Sequence, residues 1–591
     1  MGGLPAHGSS RQLAYVLHYR NPVGSGSSVP GVLCAAKSLL ALRLFVTIPP
    51  MPRSRSLMLG IATILVFALL GGVFGHGVAA REDRLPEQYQ TFTAALDAIE
   101  ARYVDKVESD QLVYGAIGGM LQTLDPHSSF MDPKQFAQLR ERQEGRYYGL
   151  GITIQVIDQD ITVQALFEGS PAYKEGIRRG DVIARIDGED AKGWTSDQAV
   201  RKLRGDKGTT VEVSIRRTGV EDLIPIQVAR DEIFIPTIPS YFMADEQTGY
   251  VQLRDFAENT DRDLSRALTD LSNQGMRRLL LDLRNNPGGP LDQAIRVSNR
   301  FLPKGDLIVY TKGRMPNSDM SYRATEESQY IRLPVVVLTN RNSASASEIV
   351  SGALQDHDRA LIVGETTFGK ALVQSVMRLR EGAGLALTTA RYYTPSGRLI
   401  QRPWDGTFDE YLTYSLRGQS SERTHDAKDL KLTDAGRKVY GGGGIEPDRR
   451  LEGPIEGFNP TKFGRSLYAR QLFATFAQRF WREGDTRQQA AGKDRQVVGP
   501  DFVVDDAMLG EFRKLVTSSG VKMDEQAFAT DLPFIKAMIR YDIDLSLFGV
   551  AAARRHLTAA DPQAQFAMGL FDEARQLTET ARSKGTRAGA Q

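Results

Sequence analysis

Apolar positions along this chain change period several times, and each change predicts a different kind of element. In residues 85–145, ALDAIEARYVDKV and LVYGAIGGMLQTL place apolar side chains three and four apart, the spacing of helices, and LDPHSSFMDP interrupts it. From Arg146 the rhythm turns to short strands, ITIQV and ITVQAL on either side of residues 157–160. A capped amphipathic helix, TSDQAVRKLRG, and a further strand, TTVEVSIRR, follow. Between Tyr250 and about Tyr393 strand and helix patterns alternate: YVQLRDF, DRDLSRALTDLSN, RLLLDLRNN, LDQAIRVSNRFL, LPVVVLTN, SASEIVSGALQDH and ALIVG. Nearly continuous apolar strands separated by helices predict an α/β layer built on crossovers. Residues 402–448 are loop-rich, with four glycines at 441–444, and are expected to carry the chain back to that layer. From Phe463 helices return, and Leu472, Phe473, Phe476 and Phe480 form one face, which reads as core.

Length and charge narrow the classes. A chain of 591 residues exceeds one core and predicts three or four domains. Seven of its 74 Lys/Arg and none of its 72 Asp/Glu precede Glu82, so the remainder is mildly acidic, 67 against 72. Without a basic stripe, nucleic acid is not an expected partner. The one cysteine, Cys34, lies upstream of the body, which excludes disulfides, Cys-rich zinc sites and a cysteine nucleophile there. No metal-ligand spacing occurs, and neither metal nor organic cofactor is expected.

Residues 56–80 carry no charge, with LMLGIATILVFALLGGVFG at 57–75, Arg53 and Arg55 before it and Val78-Ala79-Ala80 after it. That pattern reads as a signal peptide or a membrane anchor. Either places the body outside the cytoplasm, in the bacterial periplasm or on the outer face of the inner membrane, and membrane-associated if the segment is uncleaved. Residues 1–50 are unlike the rest and are left as an unassigned N-terminal extension, an upstream start choice being one reading of them.

The candidate chemistry lies in TNRNSASASEIVSGALQDHDRALIVGETTFGKALVQ, residues 339–374. Ser345 opens a helix directly after an apolar strand, where unpaired N–H groups favour a developing oxyanion. Lys370 follows a glycine turn, and a lysine in a dry site can lose its proton and deprotonate a serine. Histidine is an unpromising base: His357 lies about 18 Å along the helix from Ser345. No motif supports His127 or His425, and His127 reads as a structural cap in the LDPHSS turn. No GxSxG elbow surrounds Ser345. A second oxyanion donor is expected where Asn285-Asn286-Pro287-Gly288-Gly289 ends a buried strand. A plainer reading makes Ser343 the N-cap and Glu348 a first-turn acid.

Residues 146–230 resemble a PDZ domain through Tyr148-Gly149-Leu150-Gly151-Ile152 and the run GIRRGDVIARIDG, 176–188. The resemblance implies that residues 148–152 hold a terminal carboxylate while a strand edge pairs with an extended peptide. Residues 90–450 resemble the C-terminal processing peptidases in LDPHSS, the PDZ run, LDLRNNPGG, NSASASEI, VGETTFGK, TPSGR and GIEPD. That family implies a Ser/Lys serine peptidase acting on proteins with accessible C-terminal tails. It makes Ser345 the nucleophile, Lys370 the base and Gln374 the residue that orients it; the N–H groups of Ala346 and of Gly288 or Gly289 form the oxyanion hole. Ala371 stands where the family usually has glycine, and contact between Lys370 and Gln374 requires a turn or kink.

The implied fold class is multidomain α/β: a crossover (ClpP/crotonase-like) protease core with an inserted PDZ β-domain and helical regions at both ends. The expected divisions are 1–50, leader 51–81, helical 85–145, PDZ 146–230, protease core 231–450 and helical 455–591. A non-catalytic PDZ adaptor and a crotonase-type acyl-CoA enzyme are the alternative functions. A homo-oligomer is left open.

Overall fold

A computed structural model describes residues 85–217, 219–404, 411, 413, 425–451, 460–483 and 498–588. The apolar segment 57–75 lies outside them, and no described helix is long and apolar enough to cross a membrane. Helix Leu85–Arg102 belongs to a unit separate from residues 103–591 and has no buried residue.

In the larger unit, the central layer is a sheet in the order Ser240–Met243, Thr248–Gln252, Arg278–Asp282, Val335–Thr339, Leu361–Gly364, Arg449–Arg450. Its first pair is antiparallel and the others parallel. Alternate residues of its strands enter two cores. Leu279, Leu281, Val335, Val337 and Ile362 pack with residues of helices Thr260–Asn273, Leu291–Asn299 and Ala346–Asp356. Leu280, Val336, Leu338, Leu361 and Val363 pack with Ala564, Ala567, Phe571 and Ala574 of the last two helices. Burial on both faces explains why these strands read as unbroken apolar runs. The loop-rich stretch does return the chain to this layer, through Arg449–Arg450.

A second sheet lies around the strand Gly384–Tyr393, which pairs with Leu372–Arg378, Leu307–Gly313 and Ser129–Met131. The hairpin Leu307–Gly313/Met320–Arg323 and the strand Leu372–Arg378 were not read from the sequence. Their outer positions face solvent, which dilutes the apolar pattern.

The PDZ-like segment closes on its own aliphatic core, including Ile161, Val163, Ile183, Val211, Val213 and Ile215. Its sheet runs Ile152–Ile157, Asp160–Leu166, Val182–Ile186, Thr210–Arg216, Ile224–Ala229. Arg146–Gly149 is not part of it. That strand pairs with Asp231–Phe234, fastening the chain's entry to its exit. Near the C-terminus, Leu472, Phe473, Phe476 and Phe480 are buried with Phe512, Phe528, Ile535 and Ile539, so the apolar stripe is core. This helical region meets the PDZ-like segment at the turn before Val182–Ile186, through Arg179–Asp542 (2.8 Å), and at its sheet through Gln471, which bonds Gln155 and Gln164.

Candidate active site

Ser345 stands at the junction of strand Val335–Thr339 and helix Ala346–Asp356, at the N-cap rather than within the first turn. Its backbone has φ 54° and ψ −111°, a conformation costly for a residue with a Cβ. The turn is therefore a strained elbow between strand and helix, built here without a GxSxG sequence. Ser343 is not the cap: its hydroxyl donates to the Leu283 carbonyl (2.8 Å) and accepts from the Asn340 N–H.

The elbow is pinned by the loop that follows Arg278–Asp282. The Ala344 N–H and the Ser347 hydroxyl both donate to the Asn286 carbonyl, at 2.9 and 3.0 Å. Gly288 approaches so closely that a Cβ on it would lie 2.7 Å from Ser345 Cβ, which explains a glycine there. The Gly288 N–H, one of the expected oxyanion donors, is turned onto Asn286 Oδ1 (2.9 Å), satisfying a buried side chain. Among the described residues, the N–H groups of Gly289 and Ala346 have no hydrogen-bond partner.

Glu348, fully buried, joins the two halves of the site. Its Oε2 accepts from the Ser345 N–H (2.8 Å) and the Lys370 N–H (2.9 Å). Its Oε1 accepts from the Gly369 N–H (2.7 Å) and the Thr367 hydroxyl (2.5 Å). Tyr392 ties the same two residues from the other side, its hydroxyl donating to the carbonyls of Lys370 (2.6 Å) and Ser345 (3.1 Å). One carboxylate oxygen and one phenol thus clamp both backbones. Burial raises the Glu348 carboxyl to about 7, against the pull of its four donors. The S-x-x-E spacing from Ser345 was the available signal for Glu348. Nothing local marked Tyr392.

Lys370 is half-buried, and loss of hydration pushes its ammonium below the ordinary value of 10.5; the charges of Glu348 and Asp125 oppose that shift. Its Nζ donates to Gln374 Oε1 at 3.0 Å. The contact is made because Lys370 precedes the strand Leu372–Arg378 and the ladder slips between Val373 and Gln374. Ala371, buried in the main core, donates its N–H to Gln401 Oε1 (2.8 Å). No hydrogen bond joins the hydroxyl of Ser345 to Lys370 Nζ in this structure. An amine whose charged form burial disfavours, a serine hydroxyl whose backbone shares a carboxylate oxygen with it, and two N–H groups without a partner are the equipment acyl transfer needs.

The histidines stand apart from that role. His357 is a C-cap bonded to Asp434 and to the Leu307 carbonyl, which hold it up to about 9 against burial. His425 stacks on Tyr440. His127 bonds Tyr411 (2.9 Å), and burial, then the charge of Lys370, lowers it to about 4. The cap of its turn is Asp125 instead, which accepts from the His127 N–H.

Of the expected peptide-binding residues, Tyr148 and Gly149 pair with Glu232 and Asp231 in the two-stranded neck. Leu150 is buried, Gly151 has φ 77°, and Ile152 begins the outer strand of the PDZ-like sheet. That strand, Ile152–Ile157, pairs on one side with Asp160–Leu166; its other edge has no strand partner among the described residues.

Comparison with known proteins gives three matched segments. The peptidase family S41 profile matches residues 247–407, the PDZ domain profile 138–216, and the activating protease CtpB N-terminal domain profile 76–135. The carboxy-terminal-processing protease of Bartonella bacilliformis is 40% identical over 324 residues, 54% of this chain and 74% of that protein. Carboxy-terminal processing protease CtpA of Bacillus subtilis is 34% identical over 345 residues, 58% of this chain and 72% of that protein. Among solved structures, a photosystem II D1 C-terminal processing protease is 30% identical, covering 61% of this chain and 92% of its own, with a TM-score of 0.31.

Proposed function

The chain belongs to the carboxy-terminal processing proteases, serine-type peptidases of family S41 with a PDZ domain, and from that premise we propose the chemistry of its site. It is an exported endopeptidase whose PDZ domain captures a protein's C-terminal tail and whose Ser345 and Lys370 cut the chain. The observation that carries this reading is the single Glu348 oxygen shared by the N–H groups of Ser345 and Lys370. It ties the backbones of the two residues to one atom.

Lys370, neutral after desolvation, takes the proton of the Ser345 hydroxyl as Oγ attacks the scissile carbonyl. The developing oxyanion accepts hydrogen bonds from the N–H groups of Ala346 and Gly289, each worth roughly 3–4 kcal/mol of barrier. Lys370 returns the proton to the leaving amine, and water resolves the acyl-enzyme by the reverse sequence. The open edge of Ile152–Ile157 suits an extended tail, with Leu150, Gly151 and Ile152 at its carboxylate end. Export rests on the apolar segment 57–75 with Arg53 and Arg55 before it. Intact mass of the secreted or membrane-bound protein distinguishes cleavage from anchoring.

Protein beginning at residue 82 should degrade an unfolded substrate bearing an apolar tail, and Ser345→Ala should not. Equal cleavage by the two would reject the assignment.

A further inference from the structure

We propose that the turn Asp125–Ser128, which precedes the PDZ segment, is part of the protease site, and that Asp125 is a positioning residue for Lys370. It acts through the His127 carbonyl and the Gln374 amide. The inference rests on the reading of Lys370 as the base.

Asp125 is buried, and its carboxylate builds the turn. Oδ1 accepts from the N–H groups of His127 and Ser128, both at 2.8 Å, and Oδ2 accepts from the Ser128 hydroxyl at 2.7 Å. Three donors leave the turn one shape, with the carbonyl of His127 directed outward to Gln374. The Gln374 amide nitrogen donates to that carbonyl, and its Oε1 accepts from Lys370 Nζ at 3.0 Å.

The order of these bonds matters chemically. An amide can be turned over to offer either its oxygen or its NH2 to a neighbour. A backbone carbonyl on one side accepts only, so it fixes the NH2 there and the oxygen toward Lys370. A neutral amine carries two N–H bonds and one lone pair. Once an N–H is committed to Gln374 Oε1, the lone pair has fewer directions left in which to meet a serine proton. The carbonyl of His127 thus bears on the direction of the base, while its imidazole is bonded to Tyr411.

The turn is also registered on the strand that carries the relay. Ser128 Oγ accepts from the Thr388 N–H (3.1 Å), and Thr388 is the ladder partner of Gln374. Ser129–Met131 continues along the same strand against Gly384–Ala386. Asp125, Ser128, Thr388 and Gln374 therefore form one row, set where the ladder slips to let Gln374 face Lys370. A segment some 250 residues before Gln374 in the chain is placed by side-chain and ladder bonds at the base itself.

The test is a double-mutant cycle on the protein from residue 82, with kcat and KM measured on an unfolded protein substrate and thermal unfolding recorded for each variant. Asp125→Ala should lower kcat about tenfold with KM unchanged, and Asp125→Asn, which keeps the acceptor for both N–H groups, should recover most of it. In a Gln374→Ala background, Asp125→Ala should cause no further loss, because the path it acts through is gone. Losses that multiply in the double variant, a change confined to KM, or full activity of Asp125→Ala would each overturn the inference. If Asp125→Ala does not fold, the same cycle with Ser128→Ala decides it. Lys370→Ala runs alongside: full activity there would sink the underlying reading, whereas an inactive Lys370→Ala with multiplying Asp125 losses would sink this inference alone.

Discussion

The PDZ domain and the catalytic layer bury their polar groups in opposite ways. In the PDZ domain the core is aliphatic, and buried polar side chains are few: Asp181, paired with Arg217, Ser170, and Arg230, whose guanidinium reaches the carbonyls of Lys202, Leu203 and Thr210. The surface proposed to bind peptide is backbone: a strand edge without a strand partner among the described residues, and a glycine loop. The catalytic layer buries carboxylate after carboxylate: Asp282 against Arg284, Asp356 against Arg398, Asp358 against Arg437, and Glu348 among four donors. Desolvated charges cost several kcal/mol each unless every lone pair is met. Recognition through a strand edge asks only that the edge be present; proton transfer asks that particular atoms be held, and of these carboxylates Glu348 is the one that holds the backbones of Ser345 and Lys370.

That contrast breaks first at the base. Lys370→Arg keeps the charge and the length but cannot supply a neutral nitrogen, so kcat should fall by about a thousandfold or more with the fold intact. Steady-state kinetics on an unfolded substrate checks it.

The clamp comes next. Glu348→Ala strips the acceptor from four donors, and urea unfolding should show a loss of about 2–4 kcal/mol. The wild type should also carry a pH signature that the variant lacks. The Glu348 carboxyl is raised in the folded state from 4.5 to about 7, so its favourable contribution is complete below the unfolded value and is lost as pH rises through 7. The full swing is about 3 kcal/mol. Parallel stability–pH curves for the two proteins would contradict this.

The smallest effect belongs to the PDZ side. Gly151 has φ 77°, and an added Cβ would lie 2.3 Å from Ser170 Cβ, so Gly151→Ala should distort the loop by about 1–3 kcal/mol of strain. KM for a tail-bearing protein should rise about tenfold while kcat on a short internal peptide is unchanged. A fall in that kcat would erase the division drawn between the two regions.

The sequence pattern made some of this readable and hid the rest for physical reasons. The parallel strands were legible because burial on both faces leaves them apolar throughout, and the phenylalanine stripe of 472–480 because a helix core repeats its period. The slipped ladder at Val373/Gln374 was foreseen only as a need, since a bulge has no residue signature of its own. The positive φ of Ser345 was hidden because its loop lacks the glycines that usually mark an elbow; the glycine that makes room lies across the site, at 288. Tyr392 comes from a distant strand, and its hydrogen bonds to the site leave no periodicity to find; Asn286 and Asp125 lie in motifs the sequence displays, but the bonds they make are not written in those motifs.

The central claim is an uncharged Lys370 amine at working pH, and the reactivity of that amine tests it most directly. Acetic anhydride acylates only the neutral form, so the rate at Lys370, followed by mass spectrometry in the Ser345→Ala protein, traces its titration. The account predicts a midpoint clearly below 10.5, with reactivity rising as pH climbs through it, because desolvation penalises the ammonium. A midpoint at or above 10.5 would contradict it.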